Sequence, residues 1–185
     1  MSKRVEILRT RLDQLSHQEN ILELRTNNLY NRQKKEQKRI LETYFLGEFE
    51  KFNTRISDES VGISFKESNY DFVNLYLYSN WRDDQKSFDR IEMSVSSYRP
   101  ESIDEGVVDR FEMLTKLSQL IVDFQDDIIA AFNKVDEKYS RLRETFYQPK
   151  RDLRKSIRSQ EEDIEKLEKE YLMERLFDKK GISIT

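Results

Sequence analysis

The sequence predicts an α+β protein: an antiparallel coiled-coil stalk made from the N- and C-terminal helices, and a head with a three-stranded antiparallel β-meander packed on long helices. Three observations predict it. Heptad patterns occupy both ends of the chain, aromatic and β-branched alternation occupies the middle, and breakers are scarce, with 4 Gly and 2 Pro in 185 residues. Few breakers and abundant Glu, Lys, Arg, Leu and Gln favour long helices. Alternation with period two marks strands.

The first element is a helix. Val5, Leu8, Leu12, Leu15, Leu22 and Leu29 follow alternating three- and four-residue steps, and Glu19 and Thr26 interrupt the same register. That spacing is an a/d seam. Residues 31–39 continue the helix without an apolar face, and from Ile40 the seam returns as Leu41, Phe45, Phe49, Phe52 and Ile56. A helix is therefore expected over 40–56, ended by Ser57-Asp58-Glu59-Ser60.

Three strands are expected next, over Val61–Lys66, Tyr70–Tyr78 and Phe88–Tyr98. The connection 66–70 is short, as in a hairpin, and the 79–87 loop carries Trp81. Pro100 stops the third strand, and Ser102-Ile103-Asp104-Glu105 has capping-box spacing. A long helix over 103–147 carries Val107, Phe111, Leu114, Ile121, Ile128, Phe132, Val135, Tyr139, Leu142 and Phe146. Pro149 is expected to break or kink it, because proline lacks the N–H and clashes with the preceding turn. The closing helix carries Leu153, Ile157, Ile164, Leu167 and Tyr171, and Gly181 ends it.

The domain reading is an N-terminal stalk helix over 1–39, a head over 40–148, a C-terminal stalk helix over 149–180 and a tail over 181–185. Pairing the arms antiparallel within one chain sets Leu41 with Phe146, Phe45 with Leu142 and Phe52 with Val135. Further out it sets Leu29 with Leu153, Leu22 with Gln160, Leu15 with Leu167 and Val5 with Phe177. The two zones differ in register, and the shift is assigned to Pro149. Pairing between chains is the rival arrangement.

Composition narrows the function. Net charge is −3 with 37% charged residues, so no global field calls for nucleic acid or membrane. The absence of Cys excludes a disulfide scaffold, a cysteine–zinc site, an iron–sulfur cluster and a thiol nucleophile. A cytoplasmic location fits it. Met1-Ser2-Lys3-Arg4 leads into a charged helix rather than a secretion signal, and no stretch reaches the roughly 20 apolar residues of a membrane span.

Local charge is segregated. Arg32, Lys34, Lys35, Lys38 and Arg39 surround Glu36, and Lys150, Arg151, Arg154, Lys155 and Arg158 surround Asp152. The hairpin brings the two groups together as a basic neck, which would attract phosphate or an acidic surface. The long helix opens with Glu101, Asp104, Glu105, Asp109 and Glu112, as a helix dipole favours, and Asp123, Asp126 and Asp127 follow. The middle strand is apolar on both faces, so Phe72, Tyr76, Tyr78 and Trp81 form a candidate aromatic patch for a partner. The single histidine, His17, lies on the stalk and has no enclosed pocket to serve as a base, and the four glycines are too scattered for a phosphate loop.

The order helix, three strands, helix resembles the small dimeric nucleoid-associated YbaB/EbfC proteins, and Ile129-Ala130-Ala131-Phe132-Asn133 is similar to one of their helix segments. That resemblance implies DNA binding. Coiled arms leaving a β hub also resemble prefoldin-type chaperones. The expectation from the residues themselves is a non-catalytic interaction protein, an adaptor, assembly factor or inhibitor. It would form a homodimer and bind a macromolecular partner, an unidentified protein, through the head aromatics and the charged neck, without cofactor, metal or membrane. Nucleic acid bound at the neck is the alternative.

Overall fold

The structure, a computed structural model, describes residues 3–49, 51–65, 73–82, 85–96 and 106–180. It is α+β, with helix α1 (Lys3–Phe45), strands β1 (Phe52–Ile56), β2 (Ser60–Phe65), β3 (Val73–Arg82) and β4 (Gln85–Val95), and helix α2 (Gly106–Lys180). The strands make one antiparallel sheet in the order β1-β2-β3-β4. The chain divides into two compact units, residues 30–141 and residues 1–29 with 142–185. The expected 66–70 hairpin, the Pro100 stop, the 102–105 capping box and the 181–185 tail lie outside the described residues.

The sheet has four strands, not three, because the expected helix 40–56 stops early. Leu46 N–H still donates to Glu42 at 3.0 Å, and then Gly47 takes φ 91°. A left-handed residue just past a helix is the common C-terminal stop, and glycine adopts it without a Cβ penalty. The residues beyond it start a strand: Phe52, Thr54 and Ile56 are half-buried while Asn53 and Arg55 are exposed. Phe45, Phe49, Phe52 and Ile56 thus fit a helical period by coincidence. Ser57 to Ser60 is the β1–β2 turn, closed by Ser57 N–H to Ser60 O at 2.9 Å. Of the expected 79–87 loop, residues 79–82 and 85–87 are strand, since β3 and β4 pair from Val73↔Val95 out to Arg82↔Gln85.

One core fills the 30–141 unit. Leu41 and Phe45 from α1, Val61, Ile63, Val73, Leu75, Leu77, Phe88 and Ile91 from the sheet, and Met113, Leu117, Ile128 and Phe132 from α2 are all buried together. Phe88 meets Phe132 edge-on, with ring centroids 5.2 Å apart. The expected seam of α2 is displaced at its start: Phe111 is 73% exposed, and Met113, Leu117 and Leu120 are buried instead. Two apolar stripes lie side by side on this stretch, and the sheet covers the second. Tyr44 meets Phe124 at 5.4 Å and Gln33 Nε2 donates to Asp136 at 2.6 Å. The end of α1 therefore faces residues 124–136 rather than the expected Leu142 and Phe146.

The other unit holds two helical segments running antiparallel. Arg9 pairs with Glu168 at 2.6 Å, Glu19 with Arg154 at 2.5 Å and Glu23 with Lys150 at 3.4 Å. Val5 and Ile164 are buried, and Leu8, Leu12, Leu15, Leu22, Leu29, Leu153, Ile157, Leu167 and Tyr171 are half-buried. The expected pairs Leu22–Gln160 and Leu29–Leu153 are displaced by about two helical turns, because Glu23 already faces Lys150. Pro149 lies inside α2 and does not end it. Phe146, Lys150, Leu153 and Ile157 stay half-buried on unbroken three- and four-residue steps across it, so no register shift occurs there. One proline costs about 3 kcal/mol, and the seam and ion pairs flanking it hold the helix together.

Candidate functional site

Strand β3 separates its side chains cleanly. Val73, Leu75 and Leu77 point into the core at 0–6% exposure, whereas Tyr76 and Tyr78 on the opposite face are 45% and 46% exposed. Antiparallel register sets Tyr78 opposite Arg90 and Tyr76 opposite Glu92. The Arg90 guanidinium sits 4.6 Å from the Tyr78 ring centroid, and its Nε donates to Glu92 at 2.7 Å. Glu92 and then Asp89 hold the Arg90 cation above its ordinary value. The result is a solvent-facing ladder of two phenol rings flanked by one cation and one carboxylate. Rings with an apolar body and a polar rim suit a protein interface, and paired charges set orientation. Of the four expected patch residues, Tyr76 and Tyr78 are thus together. Trp81 belongs to β3, where it pairs with Lys86, and Phe72 lies outside the described residues.

The ladder stands on a braced edge. The β3–β4 register slips between Tyr78 and Ser79, leaving Asp89 as an extra residue in β4. Just there α2 clamps the strand. Asn133 Oδ1 accepts from Phe88 N–H at 2.8 Å, and Asn133 Nδ2 donates to Phe88 O at 2.9 Å. Gln125 Oε1 accepts from Ile91 N–H at 3.3 Å. Edge strands expose backbone groups that other chains can pair with, and these amides cover some of them. Neither amide carried a sequence signal, because Asn and Gln on a charged helix read as solvated surface.

The two basic groups fall in different units. In residues 30–141, Lys34 pairs with Asp58 at 3.1 Å and Lys38 with Glu42 at 3.7 Å, while Arg32, Lys35 and Arg39 are exposed. Beneath them Glu36 accepts from Lys138 at 2.8 and 2.9 Å and from the Tyr139 hydroxyl at 2.8 Å. Lys138 chiefly holds the Glu36 carboxyl below its usual range, and burial first, then Glu36, pushes the Tyr139 phenol up. Gln33, Gln37 and Asp136 are buried beside it, so the stretch without an apolar face buries a polar layer. In the other unit, Tyr147, Lys150, Arg151, Arg154, Lys155 and Arg158 line a depression of about 390 Å³. Glu23, Glu19 and Glu162 partner Lys150, Arg154 and Arg158 there. Glu19 also holds the Arg154 cation above its ordinary value.

A third feature lies between α1 and α2 in the 30–141 unit. Tyr44 and Thr43 of α1 and one face of α2 enclose an open groove of about 1030 Å³. Phe111, expected from the sequence in the seam of the long helix, lines it together with Phe124. Among the acidic residues singled out from sequence, Glu112 and Asp123 line this groove, Asp126 and Asp127 are exposed beyond it, and Glu101, Asp104 and Glu105 lie outside the described residues. Among the described residues, no cluster of three or more His, Asp or Glu is placed to hold a metal ion, and no helix is long and apolar enough to cross a membrane. His17 is exposed on α1.

No protein-family model, curated protein or solved structure matches the chain.

Proposed function

We propose that this is a non-catalytic interaction protein, an adaptor, assembly factor or inhibitor, that holds a protein partner on the outer face of its sheet. The observation that carries the reading is the Tyr76–Tyr78 face: large aromatic surface exposed on a strand whose other face is locked into the core. Tyrosine and arginine are the residues that most often dominate binding energy at interfaces. Residues 3–29 and 142–180 we read as a coiled-coil stalk, consistent with their half-buried seam and cross-helix ion pairs. Ile7, Leu24, Leu172 and Leu176 remain 54–63% exposed on it, apolar surface that a second copy would cover in a homodimer. The cysteine-free composition fits work in the cytoplasm.

Affinity capture from native lysate, with and without nuclease, tests the reading. A stoichiometric protein partner that persists through nuclease and is lost in the Tyr76→Ala/Tyr78→Ala variant supports it. A partner retained by that variant overturns the assignment of the site. Light scattering tests the homodimer, and a monomer at high concentration removes it.

A second reading, phosphate or nucleic-acid binding by the basic residues, draws on the depression where Tyr147 stands among five cations. Neighbouring glutamates offset three of those cations, which is why it ranks second. Reversing Lys34, Lys35, Arg151 and Arg154 to Glu abolishes nucleic-acid binding if this reading holds.

A further inference from the structure

The groove beside α1 is independent of the tyrosine face and has its own geometry. Residues 111, 115, 119 and 123 of α2 form one row, and 112, 116, 120 and 124 form the next, all eight lining the groove. Rows at four-residue spacing are the ridges between which another helix seats its side chains. From Phe111 to Phe124 the rows run about 20 Å at about 1.5 Å per residue, the length of three to four turns. The apolar side chains stand at the two ends, Phe111 at one and Leu120 and Phe124 at the other, with Thr115, Lys116 and Gln119 between them. Phe111 is 73% and Phe124 41% exposed, and Tyr44 leans on Phe124 from the other side. No described side chain covers Phe111 to any large extent.

The rim is acidic and graded. Glu48, Glu112 and Asp123 line the groove against one cation, Lys116. Lys116 lies 3.1 Å from Glu48, and Lys51 lies 3.8 Å from Glu112, so the Phe111 end is nearly neutral. At the other end Asp123 accepts the Gln119 amide, at 2.8 Å, and exposed Asp127 continues the same row. A groove with an aromatic side chain at each end that becomes negative toward one of them selects both shape and charge.

We propose that this groove binds an amphipathic α-helix of a partner protein, about four turns long, with an apolar stripe that seats on Phe111, Leu120 and Phe124. Lysine or arginine on that helix lies against Asp123 and Asp127. An acidic helix, a second copy of this chain and an empty groove are the competing outcomes.

The probes are two 16-residue peptides with the same leucine stripe, one carrying lysine at every polar position and one carrying glutamate, each with a fluorophore for anisotropy. The lysine peptide is expected to bind at least tenfold tighter than the glutamate peptide. Phe111→Asp weakens it at least tenfold, and Asp123→Lys/Asp127→Lys narrows or reverses the preference. Both sites are exposed, so the variants are expected to fold, and circular dichroism and thermal unfolding check it. The Tyr76→Ala/Tyr78→Ala variant binds the peptide like the parent, which separates this site from the sheet face. Equal binding of both peptides, or binding unchanged in the groove variants, overturns the proposal. So does a dimer that Phe111→Asp dissociates, since the groove then belongs to a second copy.

Discussion

The two faces of β3 come from alternate residues of one strand, yet they have opposite fates. Val73, Leu75 and Leu77 are locked between the sheet and two helices, while Tyr76 and Tyr78 leave nearly half of their surface to solvent. The inner residues explain why the strand exists. The outer ones do not, because two exposed phenol rings add little to folding. A large aromatic side chain unneeded by the fold is the kind of residue that binding explains.

The comparison breaks most visibly at the inner face. Leu75→Ala is expected to cost about 3 kcal/mol, from lost transfer energy and the cavity left behind, measured by urea unfolding. Next is the brace on β4. Asn133→Ala leaves the Phe88 N–H and C=O without their partner and costs about 2 kcal/mol. Hydrogen exchange at the Phe88 amide should rise in step, while that at Ile63 changes only with global stability.

Glu36→Gln, remote from either sheet face, is expected to cost about 1 kcal/mol at neutral pH, because its carboxylate is partly screened by solvent. Its sign with pH follows from the lowered value in the folded state. The contribution is complete above the ordinary carboxyl value of 4.5 and is lost as pH falls through the lowered one. The gap between parent and variant should therefore close on acidification below about 4.5 and stay level from there to neutrality. A gap that widens on acidification contradicts the assignment. The smallest effect on stability belongs to the outer face. Tyr76→Ala and Tyr78→Ala each stay within about 0.5 kcal/mol, Tyr78 losing its contact with the Arg90 cation.

The same contrast shows what was legible in the sequence. Period alone located helical stretches at both ends of the chain, the core faces of β2 and β3, and the two tyrosines of the outer face. It failed where two periods coincide. Phe45, Phe49, Phe52 and Ile56 satisfy a helical spacing, but Gly47 interrupts it and turns the later residues into β1. It failed again where α2 offers two apolar stripes, so that Phe111 was read as buried and Met113 was passed over. Pro149 is expected to break or kink the helix because a lone proline disfavours it; it does not break α2, and the contacts on both sides of it outweigh that local cost. The groove and the Asn133 clamp left no trace in the sequence. Each depends on residues from distant segments, Tyr44 with Phe124 and Asn133 with Phe88, that only the fold brings together.

We propose that the outer tyrosines serve binding and not folding. The most direct test is capture by the parent and by Tyr76→Ala/Tyr78→Ala at equal amounts of folded protein, with both melting temperatures recorded. Partner recovery is expected to fall at least tenfold, with a melting temperature shifted by no more than about 4 °C. Undiminished recovery, or a variant that unfolds, would contradict it.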